Sequence, residues 1–314
     1  MNEKIMVLAI GGNSLIKDKS HQSVPDQFKT TRKTCEKIRE VVERGWKITL
    51  THGNGPQVGF ILLRSELASS VLHPVPLDSC GADTQGAIGY MLQQGLYNSF
   101  KKAGLKREAV TVVTQAIVDK HDPAFGNPTK PIGPFYTKEQ ARKLREERRW
   151  EIVEDAGRGW RRIVPSPKPI SIVESTVIKN LLDLGYIVIS TGGGGIPVIE
   201  ENGMLKGVEA VIDKDFGSSL LAQSIGARVF LISTSIDRVY LDFGRSTQRA
   251  IDRMDVKQAE KYLKEGHFRE GSMKPKIRAG IEFLNNGGQE VIITSPDKIL
   301  SALDEKAGTR IVKT

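Results

Sequence analysis

The sequence predicts an α/β protein built as a parallel sheet with helices on both faces. Three observations carry that expectation. Short apolar runs alternate with longer stretches of helical period. The runs are rich in Val and Ile without clean alternation of apolar and polar, as suits strands buried on both faces. Nearly every run ends in glycine or a small polar residue, the punctuation of strand-to-helix turns.

Taken in order, strands are expected at Met6–Ile10, Ile48–Thr51, Val110–Thr114, Ile187–Ser190, Val229–Ile232 and Val291–Thr294. Helices fill the gaps. Asp26–Arg44 sets Phe28, Cys35, Ile38 and Val42 on one stripe and stops before Gly45. Glu174–Leu184 does the same with Val177, Ile178, Leu181 and Leu182 before Gly185. Both stops are glycines, which adopt the left-handed conformation that caps helices. Between Asp119 and Pro169 the alternation breaks. Prolines cluster, a polar helix is expected around Glu139–Arg149, and EIVED and WRRIVPS are expected to form a hairpin turning at Gly157–Gly159. The segment is too long for an ordinary connection and too patterned for a linker. Residues 119–169 are therefore expected to form a small protruding lid carried by a single domain spanning residues 1–314.

At 314 residues and 34.6 kDa the chain has volume for a large core, and 39% apolar with 26% charged residues is ordinary globular usage. The longest apolar runs, such as YIVIS at 186–190 and VFLIS at 229–233, fall far short of the roughly 18 residues that cross a bilayer. The opening MNEKIMVLAIGGN lacks the order of a secretory signal, so a cytoplasmic protein without a membrane span is expected. Cys35 and Cys80 have neither C-x-x-C nor metal-ligand spacing and read as core fillers. The formal charge of +9 is spread along the chain, which suits anionic small molecules better than nucleic acid.

Three glycine clusters follow three expected strands: AIGGNS at 9–14, HGNG at 52–55 and STGGGGIP at 190–197. In an open α/β sheet, ligands bind beyond the carboxyl ends of the strands, and glycine lets a phosphate approach the backbone. None of the clusters matches the Walker pattern or G-x-G-x-x-G. Three lysines stand in unusual contexts: Lys130 close to prolines on both sides in NPTKPIGPFY, Lys214 between Asp213 and Asp215 in VIDKD, and Lys276 at an expected helix start in GSMKPK. Phosphoryl transfer passes through a loose, strongly anionic transition state, so fixed cations around a glycine-lined cradle point to that chemistry.

These stretches, with THGNGPQVG, QGAIGYMLQQ, TQAIVDKHDPAFGNPTKPIGPFY, GRGWRRIVPSP, TGGGGIPV, GVEAVIDKD and GHFREGSMKPK, resemble the carbamate kinases of the amino acid kinase superfamily from about residue 5 to residue 312. The resemblance implies a three-layer αβα sandwich around a mainly parallel eight-stranded sheet, with the 119–169 segment as its protruding subdomain. It implies a homodimer, and reversible transfer between ATP and carbamate to give ADP and carbamoyl phosphate. It assigns Gly11, Gly12, Asn13, Gly53 and Asn54 to the transferred phosphoryl group and carbamate. Lys130 is assigned to neutralising that group, Lys214 and Lys276 to the nucleotide phosphates, and Asp215 to orienting the lysines. Gly193, Gly194, Thr234, Ser235, Tyr240 and Met273 complete the nucleotide side. Mg²⁺ is expected to arrive with ATP or ADP, held by phosphates and water, with no protein metal site. Two departures stand out: Asp83 in ADTQG, expected in a first helical turn, and Lys274 where relatives usually have glycine, a strained position if its φ were positive. Two alternatives remain, a carboxylate kinase of the acetylglutamate kinase type and a nucleotide-binding protein without turnover. The Lys130 motif disfavours the first, and the presence of all three lysines with Asp215 disfavours the second.

Overall fold

The computed structural model describes residues 4–18, 20–155, 157 and 159–313, with the side chain of Asn13 outside that set. Its strands are β1 Ile5–Ile10, β2 Lys47–His52, β3 Ala109–Thr111, β4 Gln115–Val118, β5 Lys130–Tyr136, β6 Ile152–Glu154, β7 Trp160–Val164, β8 Pro169–Ile172, β9 Ile187–Ile189, β10 Ile196–Glu201, β11 Met204–Gly207, β12 Val229–Ser233, β13 Val239–Leu241, β14 Arg249–Ile251, β15 Arg253–Asp255, β16 Glu290–Thr294 and β17 Thr309–Val312. The helices are α1 Val24–Glu43, α2 Gly55–Leu67, α3 Leu77–Lys102, α4 Lys138–Arg148, α5 Ser175–Asp183, α6 Lys214–Ser224, α7 Val256–Lys264, α8 Met273–Asn285 and α9 Ile299–Leu303.

Eight strands form the central sheet in the order β15-β17-β16-β12-β1-β2-β9-β3. Every pairing in it is parallel except β16 with β17. β1 lies at its middle and is buried along its whole length. Because successive side chains point to opposite faces, its residues divide between two cores. Ile5, Val7 and Ala9 join Phe230, Leu221, Ile277 and Phe283 on the face covered by α5, α6 and α8. Met6, Leu8 and Ile10 join Cys35, Ile38, Ile88 and Leu92 on the face covered by α1 and α3. This is the expected three-layer arrangement, and both cysteines are buried and free. No helix of the described residues is long and apolar enough to cross a membrane.

Local chemistry sets the helix ends. Ser23 caps α1 by accepting from the Asp26 backbone N–H, and Pro25 suits the first turn, so the helix opens two residues before the expected Asp26. Gly45 and Gly185, the two expected stops, have φ of +81° and +92°. The expected strand Val110–Thr114 ends early, at Thr111. β3 stays in the central sheet, while β4 passes to a four-stranded sheet ordered β11-β10-β4-β8. At the crossing, the Thr114 N–H is taken by the side-chain carbonyl of Gln85 instead of a strand partner. A side-chain bond from a distant helix is invisible to a reading of apolar runs.

Within the 119–169 segment, β5, β7 and β6 form a separate antiparallel sheet with α4, and β6 and β7 are the expected hairpin. Of its turn, Ala156 and Arg158 lie outside the described residues. Ile132 and Val164 of this small sheet bury against Val58, Leu62, Leu77 and Cys80 of α2 and α3.

Candidate active site

The loops that leave β1, β2 and β12 open at the same edge of the central sheet, and the starts of α2, α6 and α8 gather there. Helix N-termini carry partial positive charge, so the edge favours anions before any side chain is counted. Lys214 and Asp215 sit in the first turn of α6, whose N-cap is Asp213, accepting from the Asp215 N–H at 3.0 Å. Lys276 sits in the first turn of α8.

Asp215 joins the two lysines. Lys214 Nζ donates to its Oδ1 at 2.8 Å and Lys276 Nζ to its Oδ2 at 2.9 Å. The carboxylate is buried, with its side chain 4% exposed. Burial alone would raise its pKa, but the charges and hydrogen bonds of Lys214 and Lys276 outweigh this and hold it well below the usual carboxylate range. Lys130, on β5 of the small sheet, reaches across 83 residues of sequence to Asp213, with Nζ donating to Oδ2 at 2.7 Å. Three lysines against two carboxylates leave a surplus positive charge for a ligand.

Three cavities run in line along this edge. The first, about 260 Å³, holds Gly53, Asn54, Lys130, Lys214, Asp215 and Lys276 in its wall. The second, about 150 Å³, shares Lys214 and Lys276 and adds Gly11, Gly12, Ser14 and Ser233. Ser14 Oγ and Ser233 Oγ are buried there without a protein partner, as suits groups awaiting ligand oxygens. The third, about 200 Å³, shares Thr234 and Ser235 and adds Tyr240, Phe243, His267 and Met273, an aromatic and thioether lining suited to a flat ring. Among the described residues no group of three or more His, Cys, Asp and Glu side chains stands ready to hold a metal ion.

The expected residues thus fall along one channel, with exceptions of placement. Gly193 lies in the wall of the first cavity, not beside Thr234 and Tyr240. Its φ is +67° and a Cβ there would stand 2.3 Å from Asn54 Nδ2, so the glycine lets Asn54 lie flat on the backbone. Gly194 is buried beneath, where a Cβ would meet Ile212 and where Gly217 of α6 packs against its carbonyl. The role expected of the Asn13 side chain falls outside the described residues. Asp83 is exposed and lies beyond the first turn of α3, correcting the expectation of a first-turn acid. Lys274 takes up helical geometry in α8, where its φ is not positive, and pairs with Glu270, so the condition for strain is not met.

Several supporting residues escaped the sequence reading. Asn54 Nδ2 donates to Thr84 Oγ1 at 2.8 Å. Gln85 clamps the chain by donating to the carbonyls of Thr114 and Gly192. Buried His52 underlies the glycine loop, its ring 2.5 Å from where a Gly192 Cβ would stand, and its pKa is pushed down to about 4 mainly by burial. Arg161, from β7, lines the first cavity. Gln85 and Arg161 stand inside quoted motifs, and that was their only signal.

Comparison with known proteins identifies the family. The model of the amino acid kinase family matches residues 4–295. The carbamate kinase of Pyrococcus horikoshii is 48% identical, covering 99% of each chain. A carbamate kinase-like protein of Escherichia coli, YahI, is also 48% identical, over 99% of this chain and 100% of its own. The structure of the Giardia lamblia carbamate kinase bound to AMP-PNP superposes with a TM-score of 0.94 at 42% identity, covering 100% of this chain and 99% of that one. The chain therefore belongs to the amino acid kinase family, within its carbamate kinases.

Proposed function

We infer that this protein is a carbamate kinase, an enzyme that transfers a phosphoryl group reversibly between ATP and carbamate. The observation that carries the reading is the convergence of Lys130, Lys214 and Lys276, from three distant parts of the chain, on one glycine-walled cavity with Asp215 holding two of them. AMP-PNP, bound by the Giardia lamblia relative, is an ATP analogue, which supports a nucleotide as one substrate.

The adenine end of the nucleotide belongs in the third cavity, between Tyr240, Phe243 and Met273, with Thr234 and Ser235 at its inner end. Its phosphates run through the second cavity, over Gly11 and Gly12 and past Lys214 and Lys276. Gly193 and Gly194 serve the nucleotide indirectly, as support for the loop that carries Asn54. Carbamate occupies the first cavity near Gly53, Asn54 and Lys130. A carbamate oxygen attacks the γ-phosphorus in line, the bond to the β-phosphate oxygen breaks, and ADP and carbamoyl phosphate result. The oxygen is already anionic, so no general base is required and no side chain is phosphorylated. Lys214 and Lys276 stabilise the charge that grows on the bridging and equatorial oxygens. Two unit charges about 4 Å apart are worth roughly 4 kcal/mol at an effective dielectric near 20, so the lysines are large terms. Asp215 fixes both ammonium groups beforehand, and Lys130 neutralises the transferred group from the acceptor side. Mg²⁺ enters as part of the nucleotide substrate, since Asp213 and Asp215 are both committed to lysines.

Residues 119–169 act as a lid that brings Lys130 to the site, and the enzyme works as a homodimer. Light scattering at twice 34.6 kDa tests the dimer. The deciding assay is ATP formation from ADP and carbamoyl phosphate with Mg²⁺, beside acetylglutamyl phosphate. Turnover with the second donor alone would overturn the assignment.

A further inference from the structure

We propose that Arg161 is a specificity-determining residue for the acceptor, its guanidinium binding the planar carboxylate-type end of carbamate and of carbamoyl phosphate. The inference rests on the carbamate kinase reading and deepens it. Arg161 lines the first cavity together with Lys130, Lys214 and Lys276. Its head is held from two sides: Nη1 donates to Asp155 Oδ2 at 3.2 Å, and the guanidinium carbon lies 5.1 Å from the Phe135 ring centroid. Its Nε is buried and has no protein partner. A buried N–H of a charged group without an acceptor is costly, and in the wall of an anion cavity the ligand is the acceptor to hand. The ion pair uses Nη1, which leaves the edge that carries Nε. A guanidinium edge presents two parallel donors matched to an O–C–O group, whereas an ammonium is a point charge. Lys130, paired with Asp213, neutralises charge, while Arg161 reads the plane of the acceptor. Val58, Leu77, Ile132 and Val211 add apolar surface to the same cavity wall.

The test is steady-state ATP formation with carbamoyl phosphate and ADP varied separately. Arg161→Gln should raise KM for carbamoyl phosphate by about 10- to 100-fold and leave KM for ADP within about twofold, with an unchanged melting transition. Arg161→Lys, which keeps the charge and can still pair with Asp155, should recover only part of the loss and serves if the first variant does not fold. An unchanged KM for carbamoyl phosphate would overturn the proposal. So would a parallel rise in both KM values with a lowered melting temperature, the pattern of a disrupted small sheet. Full recovery by lysine would overturn the two-donor contact. Absence of turnover in the unaltered protein would overturn the kinase reading itself, and this proposal with it.

Discussion

Asp215 concentrates the electrostatics of the site in one side chain. It is buried, yet stays ionised because two ammonium groups face its two oxygens. Removing either lysine takes away a preorganised cation, so Lys214→Ala or Lys276→Ala should lower kcat by about 10²-fold or more, with Lys206 on exposed β11 as the control. Near-normal turnover in both variants would dismantle the phosphate-site assignment. The glycines can be tested for space as well as for backbone freedom. A Cβ on Gly53 would stand 3.4 Å from Lys214 Cδ, an ordinary contact, and one on Gly12 would meet nothing within 4 Å. Both alanine variants should therefore melt like the parent but lose activity, because the methyl groups fill the path of the ligand. Unfolding in step with inactivation would make the glycines mere turn formers. His52 supplies a pH prediction. Burial depresses its pKa to about 4 against 6.5, the Gly53 carbonyl opposes this, and Lys214 adds to it. A depressed histidine gives stability that is complete above the unfolded value and is lost as pH falls toward the folded one. Between pH 7 and pH 5 that loss is about 2 kcal/mol. Asp215, also depressed, loses its contribution only below the ordinary carboxylate range, near pH 4. Denaturant midpoints at the two pH values should separate in the parent and converge in His52→Gln.

At the scale of elements, the small sheet is fastened to the body by side chains as well as by its buried face. Tyr136 of β5 donates to both carboxylate oxygens of Glu66 on α2 at 2.9 Å, Arg148 of α4 donates to Ser69 Oγ, and Arg162 of β7 pairs with Glu209. Burial raises the pKa of Glu66, and the Tyr136 hydroxyl with nearby Arg162 and Arg148 counters that rise only in part. If residues 119–169 act as a lid, this is its catch. Tyr136→Phe should then speed proteolytic cleavage within residues 124–164 and raise KM for carbamoyl phosphate several-fold, with ADP binding retained. Unchanged cleavage and KM would show that the catch does not govern closure. The existence of β6, β7 and α4 was legible in the sequence from a polar helical stretch and turn glycines. Their anchoring was not, because Glu66 and Tyr136 are 70 residues apart and neither belongs to a pattern.

At the scale of the molecule, the channel joins the first and second halves of the chain at one edge of the central sheet. Gly11, Gly12 and Ser14 follow β1, while Ser233 ends β12, its parallel neighbour, with Thr234 and Ser235 after it, and all meet over one cavity. A nucleotide lying there ties both halves of the chain and should stabilise the whole fold by mass action. ADP at about 100 times its dissociation constant adds about 2.7 kcal/mol, and Lys276→Ala should lose most of the resulting thermal shift. A shift that survives that substitution would place the phosphates elsewhere. By itself, the sequence determined the periodic apolar runs, the glycine stops at Gly45 and Gly185, the hairpin and the lysines in their motifs, because each depends on residues close along the chain. Only the tertiary structure decided that Lys130 meets Asp213, that one buried carboxylate serves two lysines, that Gln85 ends a strand early, and that Gly193 makes room for Asn54. Those outcomes depend on distances between residues tens to hundreds of positions apart, which are set when β1, β2 and β12 pair in register and bring their loops to one edge.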